Sequence, residues 1–172
     1  MKKTYIIAQI GINHNGSLDV AKKLIDISAA AGCDAVKFQK RNPDVCVPEH
    51  QKSVMRDTPW GRMTYLDYKY KVEFEKEEYD EIDRYCKEKG IEWSASPWDM
   101  DSLEFLLQYD IPWIKIPSAM ITNEKLMKAS AATGKKVIFS TGMSTYEEID
   151  QAVEWLGDSE VLMLHCNSSY PA

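Results

Sequence analysis

Histidine is scarce in this 172-residue chain, at 3 residues, and its 4 cysteines include no CxxC pair. His14, His50 and His165 share no ligand spacing that specifies a metal. Cys33, Cys46, Cys86 and Cys166 sit in apolar surroundings, which suits reduced thiols in a cytosol better than a disulfide framework. Apolar runs never reach membrane-spanning length, and Met1-Lys2-Lys3 leads straight into a short strand pattern with no signal-peptide core. The expected compartment is the cytoplasm. Positive charge is also in deficit: the net charge is -6, which argues against a nucleic acid or an anionic membrane as partner. An acidic protein can still focus positive potential in one cleft, so an anionic small molecule stays open as a ligand. Glycine-rich phosphate loops are missing too, because Gly11 and Gly16 do not have the GxGxxG spacing of a dinucleotide fold.

What is present is enough apolar material, 44% of residues, for one sizeable core. Six strands alternate with five helices. Strand patterns cover 5–9, 33–39, 91–96, 113–116, 136–140 and 161–165. The first helix, capped by Ser17 and ended by Gly32, is read with Val20, Leu24, Ile27 and Ala31 inward. The next, 76–89, presents Tyr79, Ile82 and Cys86. Asp99 or Asp101 caps a third with Leu103, Leu106 and Leu107 inward; Thr122 opens a fourth, and Ser144 to Glu147 forms a capping box for a fifth. Between Lys40 and Phe74 lies a long connection rich in proline and aromatics, read as a packed lid over the strand ends. The alternation predicts an α/β fold with parallel strands, a β/α (TIM-type) barrel that is incomplete at this length.

The chemistry gathers at strand ends. Ala35, Lys37 and Gln39 share one face of their strand, and a lysine there costs several kcal/mol, of order 3–5, unless it meets water or an anion. Small polar or cationic residues recur at Ser94-Ala95-Ser96, Lys115 to Ser118, Ser140-Thr141 and Asn167-Ser168, as a rim for one anion. Lysine ammonium groups and serine hydroxyls supply the charge and donors that a phosphate or carboxylate needs. Two other readings stay open: a lysine snorkelling past the end of its strand, and a lysine acting as a Schiff-base nucleophile. His14, in the loop after the first strand, is either a substrate-contacting residue or a loop-stabilising one. His165 is expected to pack against a helix, away from the rim.

Five stretches in order, Ile7 to Gly16, Asp34 to Gln39, Ile114 to Ser118, Ser140 to Met143 and His165 to Pro171, resemble the N-terminal part of the sialic acid synthase family. That family includes the legionaminic and pseudaminic acid synthases. The resemblance implies condensation of phosphoenolpyruvate with N-acetylmannosamine or a related amino sugar, releasing phosphate. By resemblance, Lys37, Ser96, Lys115, Ser118, Ser140 and Ser168 bind phosphoenolpyruvate; Gln9, Gln39 and Tyr170 face the sugar; and Lys37, Gln39 and His14 are the catalytic candidates. Many members carry glutamate where Gln9 stands and an acidic residue where Met120 stands. A divalent metal, Mn or Mg, is implied for the family reaction, with no ligand in this chain. The remaining strands and a C-terminal antifreeze-like domain would lie beyond residue 172, so residues 1–172 are expected to be inactive alone and to form a homo-oligomer. A Schiff-base aldolase and a non-catalytic partial barrel that binds an anion are the competing readings.

Overall fold

The computed structural model describes residues 4–167. The chain divides into two compact units, Met1–Trp93 and Ser94–Ala172, and passes from one to the other within the strand Glu92–Pro97 (β5). In the first unit, β1 (Ile7–Gly11) and β2 (Ala35–Lys40) pair in parallel, joined by α1 (Leu18–Ala30). Ser17 caps α1 by accepting from the Val20 N–H. The buried stripe of α1 runs through Ala21, Ile25 and Ser28, while Val20 and Ile27 stay exposed, contrary to the expectation from large apolar residues. Small side chains at 21 and 28 let the helix lie close to its neighbours, and the larger residues fall on its flank.

The connection after β2 is not a loop. It holds α2 (Pro43–Cys46), α3 (Glu49–Lys52), an antiparallel hairpin of β3 (Met55–Thr58) and β4 (Gly61–Thr64), and α4 (Tyr65–Val72). Its aromatics pack on one another, Tyr65 and Trp60 each against Tyr68, and Arg56 lies 4.0 Å over the Tyr65 ring. The following helix, α5 (Lys76–Lys89), buries Tyr79, Ile82 and Cys86 as its spacing requires.

In the second unit the order is α6 (Met100–Leu106), β6 (Trp113–Ile116), a 3-10 turn at Ser118–Met120, α7 (Glu124–Ala132), β7 (Lys136–Ser140), α8 (Tyr146–Leu156) and β8 (Val161–Leu164). β6, β7 and β8 are parallel neighbours in that order. Three boundaries differ from expectation. Leu107 is exposed, since α6 ends before it; Asn123 rather than Thr122 caps α7; and the capping box opening α8 is Thr145 with Glu148, one residue later than read. His165 follows β8 and is exposed instead of packing against a helix. Parallel strands alternating with helices make the chain an α/β protein, and among the described residues the strands lie in separate sheets rather than one closed barrel.

Candidate functional site

In the second unit the ends of β6, β7 and β8 are tied together by polar groups. Lys115 and Ser140 lie on one face, because Lys115 is in register with Ile138 and Ser140 is two residues further along. The Lys115 ammonium donates to Ser140 Oγ at 2.5 Å and to the Ile116 carbonyl at 2.8 Å, which leaves its third N–H. Burial pushes the Lys115 amine down to about 8, against an opposing pull from Cys166. Beyond β6, Ser118 Oγ accepts the Gly142 N–H at 3.0 Å, and Thr141 donates from both its N–H and its hydroxyl to the Leu164 carbonyl. Met143 in the same turn has φ 65°, in the left-handed region, with an exposed side chain. Strained backbone of this kind persists only where its surroundings hold it.

The consequence is chemical. Ser140 and Ser118 each use an oxygen lone pair to accept from the protein, so each hydroxyl hydrogen is free to be donated outward. A buried ammonium beside the Ser140 hydroxyl, and a second hydroxyl on Ser118 beside Gly142, are groups of the kind that an anion requires. Ser94 and Ser96 are fully buried on β5, and Ser94 donates to the Trp113 carbonyl at 2.6 Å.

In the first unit Lys37 is buried on β2, in register with Gln9 on β1, so both stand on the face that carries Gln39. Past Gln39 the chain places Lys40 and Arg41, both buried, against the start of the polypeptide returning from α4. Lys40 Nζ donates to the Phe74 carbonyl at 2.6 Å and lies 3.5 Å from Glu75. Arg41 Nη1 is 3.5 Å from Glu73 Oε1, the Arg41 backbone N–H donates to Glu73 Oε2 at 3.2 Å, and Arg41 Nη2 donates to Gln39 Oε1. Burial raises the Glu73 carboxyl to about 7, although Arg41 and Lys40 both oppose that shift.

His14 is buried in the loop after β1. Its Nδ1 accepts the Gly16 N–H at 3.1 Å, its ring stacks on Phe74 with centroids 4.0 Å apart, and a hydrogen bond joins it to the Gly11 backbone. Burial lowers its pKa to about 4, so the ring is neutral at physiological pH. Gly16 completes the clasp: with φ 68° and a Cβ position only 2.1 Å from the Lys71 carbonyl oxygen, it admits no side chain. The segment between β2 and α5 is thereby pinned beside the outgoing ends of β1 and β2, where a lid was expected.

Of the residues singled out in the sequence, the first unit brings together Gln9, Lys37 and Gln39, and the second brings together Lys115, Ser118 and Ser140, with Ser96 buried on its own strand. Gln9 is exposed and Met120 half-buried. Ser168 and Tyr170 lie outside the described residues. Sequence reading missed Arg41 and Glu73: Arg41 stands two residues after Gln39, on the same alternation, which was a signal, but Glu73 is 32 residues away from Arg41 and nothing local marks it as a partner. Among the described residues no three His, Cys, Asp or Glu side chains gather as a metal centre, and no helix is long and apolar enough to cross a membrane.

Known proteins share this arrangement of strands and motifs. The chain is 37% identical to the N-acetylneuraminate-9-phosphate synthase of Drosophila melanogaster over 97% of its own length and 46% of that protein. It is 36% identical to the N,N'-diacetyllegionaminic acid synthase of Campylobacter jejuni, over 100% of this chain and 54% of the other. It thus spans about half the length of the curated relatives it matches. Among solved structures, a sialic acid synthetase from Leptospira borgpetersenii in complex with citrate superposes with a TM-score of 0.88 at 32% identity, covering 99% of this chain and 56% of that one. A DAHP synthase from Thermotoga maritima shares the fold alone, at 13% identity and a TM-score of 0.66 over 92% of this chain and 41% of the other. Residues 24–172 match the NeuB family, and the chain belongs to it.

Proposed function

We propose that this chain carries the phosphoenolpyruvate-binding part of a nonulosonic acid synthase, which joins phosphoenolpyruvate to N-acetylmannosamine or a related amino sugar. The observation that carries this reading is the set of donors on Lys115, Ser140 and Ser118, standing in a chain of the NeuB family. In the reaction, C3 of phosphoenolpyruvate forms a bond to the aldehyde carbon of the open-chain sugar, whose oxygen takes a proton. Water then adds to C2, and the C2–O bond breaks to release phosphate. Lys115, Ser118 and Ser140, with Lys37, Ser96 and Ser168, hold the phosphate and carboxylate. Gln9, Gln39 and Tyr170 face the sugar. His14, neutral and bonded to backbone on both sides, fixes the loop after β1 and carries no proton in this scheme. The divalent metal that the family resemblance implies finds no ligand group among the described residues, so no step here runs through it.

The lowered pKa of Lys115 favours a second reading, a Schiff-base aldolase. Against it, two of the three Nζ hydrogens are bound by acceptors that stabilise the ammonium form. Borohydride with a keto acid would trap an adduct on Lys115 if the second reading held. The setting is the cytoplasm, consistent with four free cysteines. Exposed Leu162, Met163 and Leu164 on β8 favour self-association, to be checked by sedimentation at low micromolar concentration. Calorimetry with phosphoenolpyruvate alone tests the central reading. Binding that disappears in Lys115→Ala supports it, and no heat from the wild-type chain refutes it. Binding without turnover after sugar and metal are added would leave an anion-binding module.

A further inference from the structure

The polarity of the Gln39 side chain is fixed by its neighbour. Arginine has five N–H donors and no acceptor, so the Gln39 atom that meets Arg41 Nη2 is the carbonyl oxygen Oε1. The NH2 group is therefore the end turned toward Gly11. A Cβ on Gly11 would lie 3.9 Å from Gln39 Nε2 and 2.7 Å from Gln9 Nε2, so the absence of a side chain at 11 makes room for the Gln9 amide on the face that carries Gln39. Arg41 is buried and tied to Glu73 at two points, its backbone N–H donating to Oε2 and its guanidinium 3.5 Å from Oε1, which limits its freedom to follow a drifting amide.

We infer that Arg41 is a positioning residue that locks Gln39 as an N–H donor, so that this subsite selects an oxygen acceptor on the sugar, a hydroxyl or acyl carbonyl. The inference rests on the reading that Gln39 faces the sugar. A free glutamine amide presents either end, and a ligand must then hold one of them; Arg41 makes that choice before the ligand arrives. Arg41→Lys should lose the effect, because an ammonium is a point charge and cannot bridge Glu73 and Gln39 as a planar fork does.

The test uses N-acetylmannosamine as probe, titrated in the presence of phosphoenolpyruvate, and nitrogen-15 spectra of the Gln39 side-chain amide. Gln39→Glu keeps an acceptor for Arg41 but offers no N–H. Since Arg41→Met alone would strand Glu73 and could fail to fold, the double variant Arg41→Met/Glu73→Gln removes the pair together. Both variants should weaken the sugar about tenfold at saturating phosphoenolpyruvate, the loss of roughly one well-placed hydrogen bond; Gln39→Glu also adds a carboxylate on the Lys37 face and so weakens phosphoenolpyruvate as well, which the double variant does not. In the double variant the Gln39 amide signals should also move to values of a freely rotating glutamine. Sugar affinity lost in Gln39→Glu but kept in the double variant would overturn the positioning role, as would unchanged amide signals. Sugar affinity kept in both, with phosphoenolpyruvate still binding, would overturn the placement of Gln39. Failure of the wild-type chain to bind phosphoenolpyruvate would instead refute the proposed function, and the amide spectra would still decide whether Arg41 fixes Gln39.

Discussion

The first unit buries Lys40 and Arg41 beside the Glu73 carboxylate, whereas the second buries Lys115 against a hydroxyl and a carbonyl. Both strand ends carry buried cations, yet one set faces an ionisable carboxyl that arrives from elsewhere in the chain, whereas the ammonium of the other is hydrogen-bonded to a hydroxyl and a carbonyl. A compensated pair is architecture: it ties β2 to the polypeptide returning from α4. An uncompensated ammonium keeps its charge for something else, and a bound dianion is what would repay its desolvation. Charge count alone does not separate a structural lysine from a binding one. What separates them is the partner that arrives from elsewhere in the chain.

The sharpest test removes the internal answer. Arg41→Ala should destabilise the chain by up to about 3–5 kcal/mol at pH 8, where the buried Glu73 must either keep its charge without its partner or take up a proton. At pH 5 the loss should shrink, because a carboxyl with a pKa of about 7 is then protonated. Urea unfolding at the two pH values measures this, and equal losses would mean that the pair does not act through charge. Lys115→Ala should leave stability little changed or improved but weaken phosphoenolpyruvate by about 2–4 kcal/mol, as for a truncated buried charge pair. Lys37→Ala is expected to act in the same direction. In the wild type that affinity should also decline as pH rises through about 8, where Lys115 loses its proton, and calorimetry across pH 7–9 follows it.

The two titrating groups of the first unit pull stability in opposite directions. His14, lowered from 6.5 to about 4, loses stability as pH falls between those values, because the unfolded chain binds the proton first. Glu73, raised from 4.5 to about 7, gains stability as pH falls through that window, since there the folded chain binds the proton first. Each is on the order of 3 kcal/mol, so the wild type should show a shallow profile between pH 4.5 and 6.5. Glu73→Gln should uncover the His14 slope, and His14→Phe, which keeps the stack on Phe74, should uncover the opposite one. The smallest effect is expected from Ser118→Ala, about 1 kcal/mol in phosphoenolpyruvate affinity, for the loss of one hydroxyl donor and of the bond that fixes Gly142.

Much of this was legible in the sequence where period and capping agree. The helix 76–89 reads true because its few apolar residues, Tyr79, Ile82 and Cys86, can face only one way among so many charges. In α1 apolar residues are plentiful, so spacing allowed more than one stripe, and the small Ala21 and Ser28 decided it through packing that no local rule reports. That Lys115 and Ser140 stand at neighbouring strand ends was readable from the polar residues closing each apolar strand. The pairing of Arg41 with Glu73 was not, because it depends on where a folded insertion returns.

That insertion is clasped at its closing end by the Gly16–Lys71 approach and the His14–Phe74 stack, while Thr58 to Gly61 at the hairpin tip stay mostly exposed. Lengthening the tip therefore does not loosen the base. A longer loop costs only about (3/2)RT ln n in closure entropy, and the contacts that anchor the insertion lie outside the lengthened part. The hairpin tip is a natural position for grafting a fluorescent reporter or an affinity epitope, while position 16 is closed to any side chain at all.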